Sequence, residues 1–377
     1  METALVTYST KPRGGVVHTL SLAEALWRQG FPVHLLAMGD PELGFFRHTD
    51  VPHTIIPAPE RKGTLDERVF AAVDAIAAGL REVRFDILHT QDCISARAAA
   101  RVRDEGAPIT VFRTVHHVDD FTSPVLIHCQ RQAITEPDHL VVVSEQWQTL
   151  LRKDFGVEAT VIRNGVEPRR FGPISPETWR GLRERAGVNG KFVFLSVGGV
   201  EPRKGSIHLF EALAKLKQSI EVALVVIGGE SFQDYQAYRD AAFAALPGLG
   251  LELGRDIVVL GTVSDAELCH WYRAADALAF PSTKEGFGLT VLEAISADLP
   301  VVTSDLPVFR EYLTHDENAL LSKVGDSADL AAALLRIATE PDLRARLRAN
   351  ARHLLAHYTW EVAAAAHRDL WLTRSRC

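Results

Sequence analysis

The sequence is poor in cysteine, with four in 377 residues. Cys93, Cys129, Cys269 and Cys377 are scattered and form no CxxC pair, which argues against a disulfide framework or a zinc site and fits reduced thiols of a cytoplasmic protein. Long apolar runs are lacking as well. No stretch approaches the about 18 uninterrupted apolar residues of a spanning helix. The start, METALVTYST, enters a strand without a basic segment and a long apolar run, so no signal peptide is expected. Positive charge is not in surplus: 41 Lys and Arg face 48 Asp and Glu, a net charge of −7. That balance disfavours a nucleic-acid binder. Solenoid repeats and low-complexity tails are absent.

What remains is globular material, 47% hydrophobic and 24% charged, in a chain long enough for two domains. Short β-branched runs alternate with helical patterns. ALVTYS, VHLLA, TIIP, DILHT, ITVFR, HLVVVS and TVIR read as strands, with VVHTLSLAEALWRQ, LDERVFAAVDAIAAGLREV, ISARAAARVRDE and EQWQTLLRKD as helices between them. Such alternation means crossover connections and a mostly parallel sheet covered on both faces. The alternation stops over residues 163–191, which carry three prolines and no strand pattern. It resumes with FVFLSV, EVALVVIG, DIVVLG, ALAFPS, PVVTS and ALLS. The stretch 326–373 is helical and broken near Tyr358-Thr359-Trp360. The expected division is 1–175, 176–355 and a terminal helix over 356–377. Two doubly wound α/β domains imply a cleft, with ligands outside the carboxyl ends of the strands.

Four segments at such strand ends are candidates for chemistry. Gly14 and Gly15 lie between the first strand and first helix, where glycines let a backbone approach a phosphate. A plain tight turn is the other reading. The glycine spacing does not fit a dinucleotide site, which wants GxGxxG and an acid about 20 residues on. In TVHHVDD, His116 follows a strand and could bond a sugar hydroxyl or phosphate oxygen. The neighbouring His117, Asp119 and Asp120 invite a metal reading, disfavoured because adjacent histidines rarely face one ion. In SVGGVEPRKG, Arg203 and Lys204 precede a helix, a cationic loop suited to a diphosphate. In PSTKEGFGLTVLEAI, Glu285 sits before a helix and Glu293 within it, eight residues on. A helix start offers N–H groups to a phosphate and carboxylates accept from hydroxyls. Glu293, flanked by apolar residues, requires a partner.

Together these segments resemble the bacterial retaining glycosyltransferases of family 4, also described as glycosyl transferases group 1. The resemblance also rests on VVVSE, VIRNGVEPRRF, VVIGGE, LGTVSDAELCHWYRAADALAFPS and PVVTSDLPVFREYL, and runs over nearly the whole chain. It implies the GT-B fold: two Rossmann-like doubly wound domains facing a central cleft, the C-terminal helix crossing back to the first. It implies sugar transfer from a nucleotide-diphosphate donor with retention of configuration, without metal or cofactor. Glu285, His116 and Lys204 would be the catalytic group. Glu285 would hold donor-sugar hydroxyls, Glu293 the ribose diol, and His116 the sugar. Backbone at Phe287, Gly288 and Leu289 would meet sugar and diphosphate, Gly14 and Gly15 the diphosphate, and Gly229, Glu230 and Val263 the nucleobase region.

Two departures from the family pattern stand out. Gly199 occupies the place of an expected arginine, for which Arg203 is the proposed substitute, and Asp298 replaces a glycine. The acceptor is not legible: a small molecule, a glycan or a lipid-linked molecule all fit. No nucleic-acid partner is expected. The expected location is the cytoplasm, with peripheral contact at the inner membrane face as a further option; Gly44-Phe45-Phe46-Arg47 could touch a lipid carrier or a membrane surface, an aromatic plug in the cleft being the favoured reading. The alternatives are a nucleotide-sugar-binding protein without transfer activity and a nucleotide-sugar epimerase.

Overall fold

A computed structural model describes residues 1–60, 62–229 and 235–374. The chain forms two compact units, Met1–Gly165 with Thr359–Cys377, and Val166–Tyr358.

Unit 1 is a seven-stranded parallel sheet. Its strands are β1 (Thr3–Thr7), β2 (Val33–Gly39), β3 (His53–Pro57), β4 (Ile87–Thr90), β5 (Thr110–Val115), β6 (His139–Val142) and β7 (Thr160–Val161), ordered β3-β2-β1-β4-β5-β6-β7. The helices between them are α1 (Gly14–Arg28), α2 (Leu65–Arg81), α3 (Cys93–Asp104), α4 (Pro124–Thr135) and α5 (Glu145–Phe155). β1 is buried throughout, as a central strand covered on both faces must be. Asp92 caps α3, accepting from the N–H of Ser95, and Thr64 and Glu67 form a capping box on α2, which fixes where each helix begins. α4 falls in a stretch that the strand and helix assignment from sequence leaves open. Pro124 opens it, placed where the missing N–H has no helical partner to lose.

Unit 2 starts earlier than the sequence divides the chain, at Val166 rather than 176. The cause is local: a 3₁₀ turn at Pro168–Phe171 belongs with unit 2. There Arg170 pairs with Asp265 at 2.5 Å and Phe171 packs edge-on against Tyr272. α6 (Pro176–Arg185) follows, then β8 (Phe192–Val197), α7 (Ser206–Leu216), β9 (Val222–Ile227), α8 (Gln236–Ala244), β10 (Ile257–Gly261), α9 (Asp265–Ala274), β11 (Ala277–Phe280), α10 (Leu289–Ser296), β12 (Val301–Ser304), α11 (Pro307–Arg310), β13 (Leu320–Ser322), α12 (Ser327–Thr339) and α13 (Pro341–Ala351). The six strands are parallel, ordered β10-β9-β8-β11-β12-β13. In both sheets the order reverses beside the first strand, at β1/β4 and at β8/β11, the switch point where open α/β sheets bind ligands. The two units are thus Rossmann-like α/β domains.

The chain returns to unit 1 for α14 (Trp360–Arg374). Trp371, fully buried on α14, donates from its indole N–H to His89 Nδ1 at 3.1 Å. Asp298, at φ 58, takes the left-handed turn expected of a glycine there, which Asp tolerates better than most residues.

Candidate active site

In unit 2 the chemistry gathers where β8 and β11 end. After β8 the chain passes Gly198-Gly199 and a 3₁₀ turn at Pro202–Lys204, then enters α7 through Gly205. Gly205 sits at φ 65, and a Cβ there would collide with the carbonyl of Pro281. The glycine lets this loop press against the loop leaving β11. The Thr283 N–H then donates to the Arg203 carbonyl at 2.8 Å and locks the two together.

That clamp brings Lys204 and Arg203 onto Glu285. Lys204 Nζ lies 2.8 Å from Glu285 Oε2, and Arg203 contacts both carboxylate oxygens at 3.4 Å. The Gly286 N–H donates to Oε1 at 3.1 Å. The Lys204 ammonium also lies 4.4 Å from the centre of the Phe280 ring. Burial alone would raise the Glu285 carboxyl, but the charges of Lys204 and Arg203 and these hydrogen bonds outweigh it and hold it down to about 2. Burial depresses the Lys204 ammonium in turn, opposed by Glu285. Two cations therefore meet one ionised carboxylate at a sheet switch point.

Beyond Glu285, Gly288 leads into α10, whose first residue is Leu289. The first N–H groups of a helix have no intrahelical acceptor. Phe287 turns its ring into the core, stacked 5.5 Å from Tyr312, and its carbonyl accepts from the Tyr312 hydroxyl at 2.9 Å. This loop is thus braced from behind. Glu293, in the second turn of α10, has the partner that its apolar setting demands: the Tyr272 hydroxyl donates to Oε2 at 2.6 Å. Burial raises the Glu293 carboxyl despite Tyr272 and the charge of Arg170.

The neighbouring strand ends complete the group. Gly199 has φ 77, and a Cβ on it would stand 2.8 Å from the Gly229 carbonyl. An arginine here would need a left-handed backbone and would crowd the backbone that follows β9. Arg203 approaches the cluster from the far end of the loop. Gly229 in turn presses on Thr262, next to Val263. Glu230 lies outside the described residues.

Unit 1 holds a second constellation, built the same way from the loops after β1, β4 and β5. Gly14 and Gly15 open α1. A Cβ on Gly15 would touch the His116 ring at 3.7 Å, so these two sequence-predicted residues are neighbours. His116 Nε2 lies 3.0 Å from Gln91 Oε1. His18, one turn into α1, stands edge-on to His116 with ring centres 4.6 Å apart, its Nδ1 2.9 Å from Asn164 Oδ1. Burial, with the neighbouring His117 and Arg113, pushes His116 well below the ordinary histidine range, so its imidazole is neutral near pH 7. His117 lies 3.1 Å from Asp119. Among the described residues no group of three or more His, Cys, Asp or Glu side chains could hold a metal ion.

Gln91, Tyr272 and Arg170 escaped sequence reasoning. Gln91 had a usable signal, a polar residue directly after a buried parallel strand. Tyr272 had none, because its partner lies 21 residues on.

Residues 12–170 match the family described as Glycosyltransferase Family 4, and residues 182–354 match Glycosyl transferases group 1. The chain is 28% identical over 371 residues to a phosphatidyl-myo-inositol mannosyltransferase of Mycolicibacterium smegmatis, covering 95% of this chain and 90% of that one. It is 29% identical over 395 residues to a D-inositol 3-phosphate glycosyltransferase of Xylanimonas cellulosilytica, covering 96% and 92%. Among solved structures it resembles a sucrose-phosphate synthase from Thermosynechococcus elongatus, with TM-score 0.82 at 21% identity over 99% of this chain and 98% of that one. It also resembles Anabaena HepE in complex with UDP-glucose, with TM-score 0.81 at 20% identity over 99% and 100%. With both domains matched in order and the GT-B fold shared, the chain belongs to the family 4 glycosyltransferases.

Proposed function

We propose that the protein moves a sugar from a nucleotide-diphosphate donor to an acceptor hydroxyl, with retention of anomeric configuration and without a metal ion. The reading rests above all on Glu285 held between Lys204 and Arg203, ahead of the start of α10. Breaking the anomeric C–O bond of such a donor leaves charge on the diphosphate. Fixed cations and helix N–H groups stabilise that charge, and each such donor contributes about 2.7–4 kcal/mol to the transition state. Lys204, Arg203 and the first turn of α10 supply them, aided by the backbone at Gly14 and Gly15.

Glu285, ionised and engaged by both cations, is a weak nucleophile and a weak proton acceptor. It serves instead to hold sugar hydroxyls. A covalent glycosyl-enzyme is then disfavoured, and the departing phosphate takes the acceptor's proton on the same face. Neutral His116, oriented by Gln91, bonds the sugar. Glu293 holds the ribose diol, while Val263 and the Gly229 loop border the base. The names of the two curated relatives place inositol-containing molecules among their substrates, which makes phosphatidylinositol and inositol phosphates the first acceptors to try. No helix among the described residues is long and apolar enough to cross a membrane.

The test is a thermal-shift panel of UDP, GDP, ADP and dTDP with their sugars, followed by donor turnover with and without acceptor. One nucleotide family is expected to raise the melting temperature, since a ligand at 100 times its Kd stabilises by about 2.7 kcal/mol. Its sugar should be consumed only with an acceptor, giving a product of unchanged anomeric configuration. Absence of any nucleotide shift overturns the reading. A bound but never consumed donor identifies a binding protein, and conversion without acceptor identifies an epimerase.

A further inference from the structure

Tyr272 lies on α9, fully buried, with its hydroxyl turned to Glu293 on α10. A phenol has one proton to give, and here it goes to Glu293 Oε2 at 2.6 Å. Among the described residues nothing donates to the other oxygen, Oε1, and Glu293 has no ion pair. Arg170, the cation of the neighbouring turn, is committed to Asp265 at 2.5 Å. Glu285, by contrast, is held by two cations.

The Tyr272 ring is fixed in place. Phe171, from the 3₁₀ turn at Pro168–Phe171, meets it edge-on with ring centres 5.4 Å apart, and that turn packs against both α9 and α10. The terminal torsion of a glutamate is broad, so an unheld carboxylate would turn its oxygens through a range of directions. A bond from a rigid phenol fixes one oxygen and thereby the direction of the other. Oε1, and the lone pair that Oε2 has left, become two acceptors at a set spacing, with no paired cation to compete for them. Two adjacent O–H groups on one ring, the 2′- and 3′-hydroxyls of a ribose, match such a pair. A 2′-deoxyribose brings only one of them and leaves an acceptor of a charged group without its donor, which is unfavourable in a partly buried setting.

We infer that Tyr272 is a positioning residue that aims Glu293 at the ribose diol, and that through it the site selects a ribonucleotide donor over a 2′-deoxyribonucleotide one. The inference rests on the functional reading in which Glu293 holds the ribose. Tyr272 itself touches no substrate. It acts by holding one carboxylate oxygen so that the hydroxyls of the donor find the rest of the carboxylate already oriented, and orientation before binding is what converts a contact into affinity. UDP, GDP and ADP sugars fit this demand, and dTDP sugars do not.

Calorimetric titration with UDP, GDP, ADP, their 2′-deoxy forms and dTDP tests this without any acceptor. In the unaltered protein one of the three ribonucleotides should bind about 10- to 100-fold more tightly than its 2′-deoxy form, the worth of a hydrogen bond to a charged group, and dTDP should bind no better than the deoxy forms. In Tyr272→Phe, which keeps the ring and its contact with Phe171, the ribonucleotide should weaken about tenfold and its 2′-deoxy form less than about threefold. Glu293→Gln should lose the same discrimination, and the double variant should be no worse than Glu293→Gln alone, because a residue that acts through another adds nothing once that other is gone. Equal weakening of both nucleotides by Tyr272→Phe, or losses that add in the double variant, make Tyr272 a packing residue and overturn the inference. Equal binding of a ribonucleotide and its 2′-deoxy form by the unaltered protein overturns it too. In these outcomes nucleotide binding still stands, and with it the functional reading. Absence of any nucleotide binding overturns both.

Discussion

Glu285 and Glu293 differ at the level of single residues in what holds them. Glu285 is gripped by Lys204 at 2.8 Å and by Arg203, whereas Glu293 is bonded to the neutral Tyr272 hydroxyl at 2.6 Å. Glu285→Gln keeps the shape but removes the charge that orients both cations. Losing hydrogen bonds to a charged group costs about 1.5–3 kcal/mol, so kcat should fall roughly 10- to 100-fold with nucleotide affinity little changed. Glu293→Ala should instead weaken nucleotide binding at nearly constant kcat. Steady-state kinetics paired with calorimetric titration of the free nucleotide separates the two outcomes, and equal losses of both quantities in both variants would refute this division of roles. The Glu285/Glu293 pair was legible in sequence because a loop acid, two glycines and an apolar helix follow one another locally. Tyr272 and Gln91 were not, because each meets its partner only after folding, Tyr272 across α9 and α10 and Gln91 across the ends of β4 and β5. Gly199 shows a subtler limit. Its identity is plain in the sequence, but the setting that suits a glycine, φ 77 against the Gly229 carbonyl, depends on a neighbouring strand.

Among the elements, α14 is the one whose place depends most on partners far along the chain. It packs on α1, with Trp360 and His367 edge-on to His18, and its Ala363, Ala364 and Trp371 are buried as well. Trp371 adds a hydrogen bond to His89 on β4 and a tilted ring contact with Phe31 at 5.7 Å. Trp371→Ala removes that contact area and leaves His89 Nδ1 short of a donor. The expected cost is about 3–5 kcal/mol, as for other large aromatic truncations in cores. In differential scanning calorimetry the loss should fall on the transition of unit 1, with that of unit 2 unmoved. A downward shift of both transitions by the same amount would mean that α14 is not docked as unit 1 requires. The strands were legible because alternation of β-branched runs and helices is a local pattern. α4 was missed although Leu126, Cys129, Ala133 and Ile134 recur at helical spacing, because the stripe is short and the apolar Val125 and Ile127 blur it.

Across the whole molecule, the two units answer acid differently. Unit 1 buries His18, His89 and His367, and burial lowers each of them, His367 to about 4. A histidine depressed in the folded state takes up protons on unfolding, so its contribution is complete above the unfolded value of about 6.5 and is lost as pH falls from there toward the folded value. For His367 alone that is about 3–4 kcal/mol, at about 1.4 kcal/mol per pKa unit. In unit 2 the Glu285 contribution is complete above its ordinary value of 4.5 and is lost only as pH falls through about 2. Calorimetry from pH 7 to pH 4.5 should therefore show the unit 1 transition moving down first, while that of unit 2 holds; the reverse order would refute the assignment. The sequence by itself determined the two α/β domains, the order of their strands along the chain and the local Glu285–α10 segment, because each is written in short-range periodicity and turn chemistry. Only the tertiary structure decided that Lys204 and Arg203 would close on Glu285 and that Gln91 would hold His116. Those pairings join residues far apart in the chain, and they form only where parallel strands and their crossover helices bring the ends of different segments to one edge of a sheet.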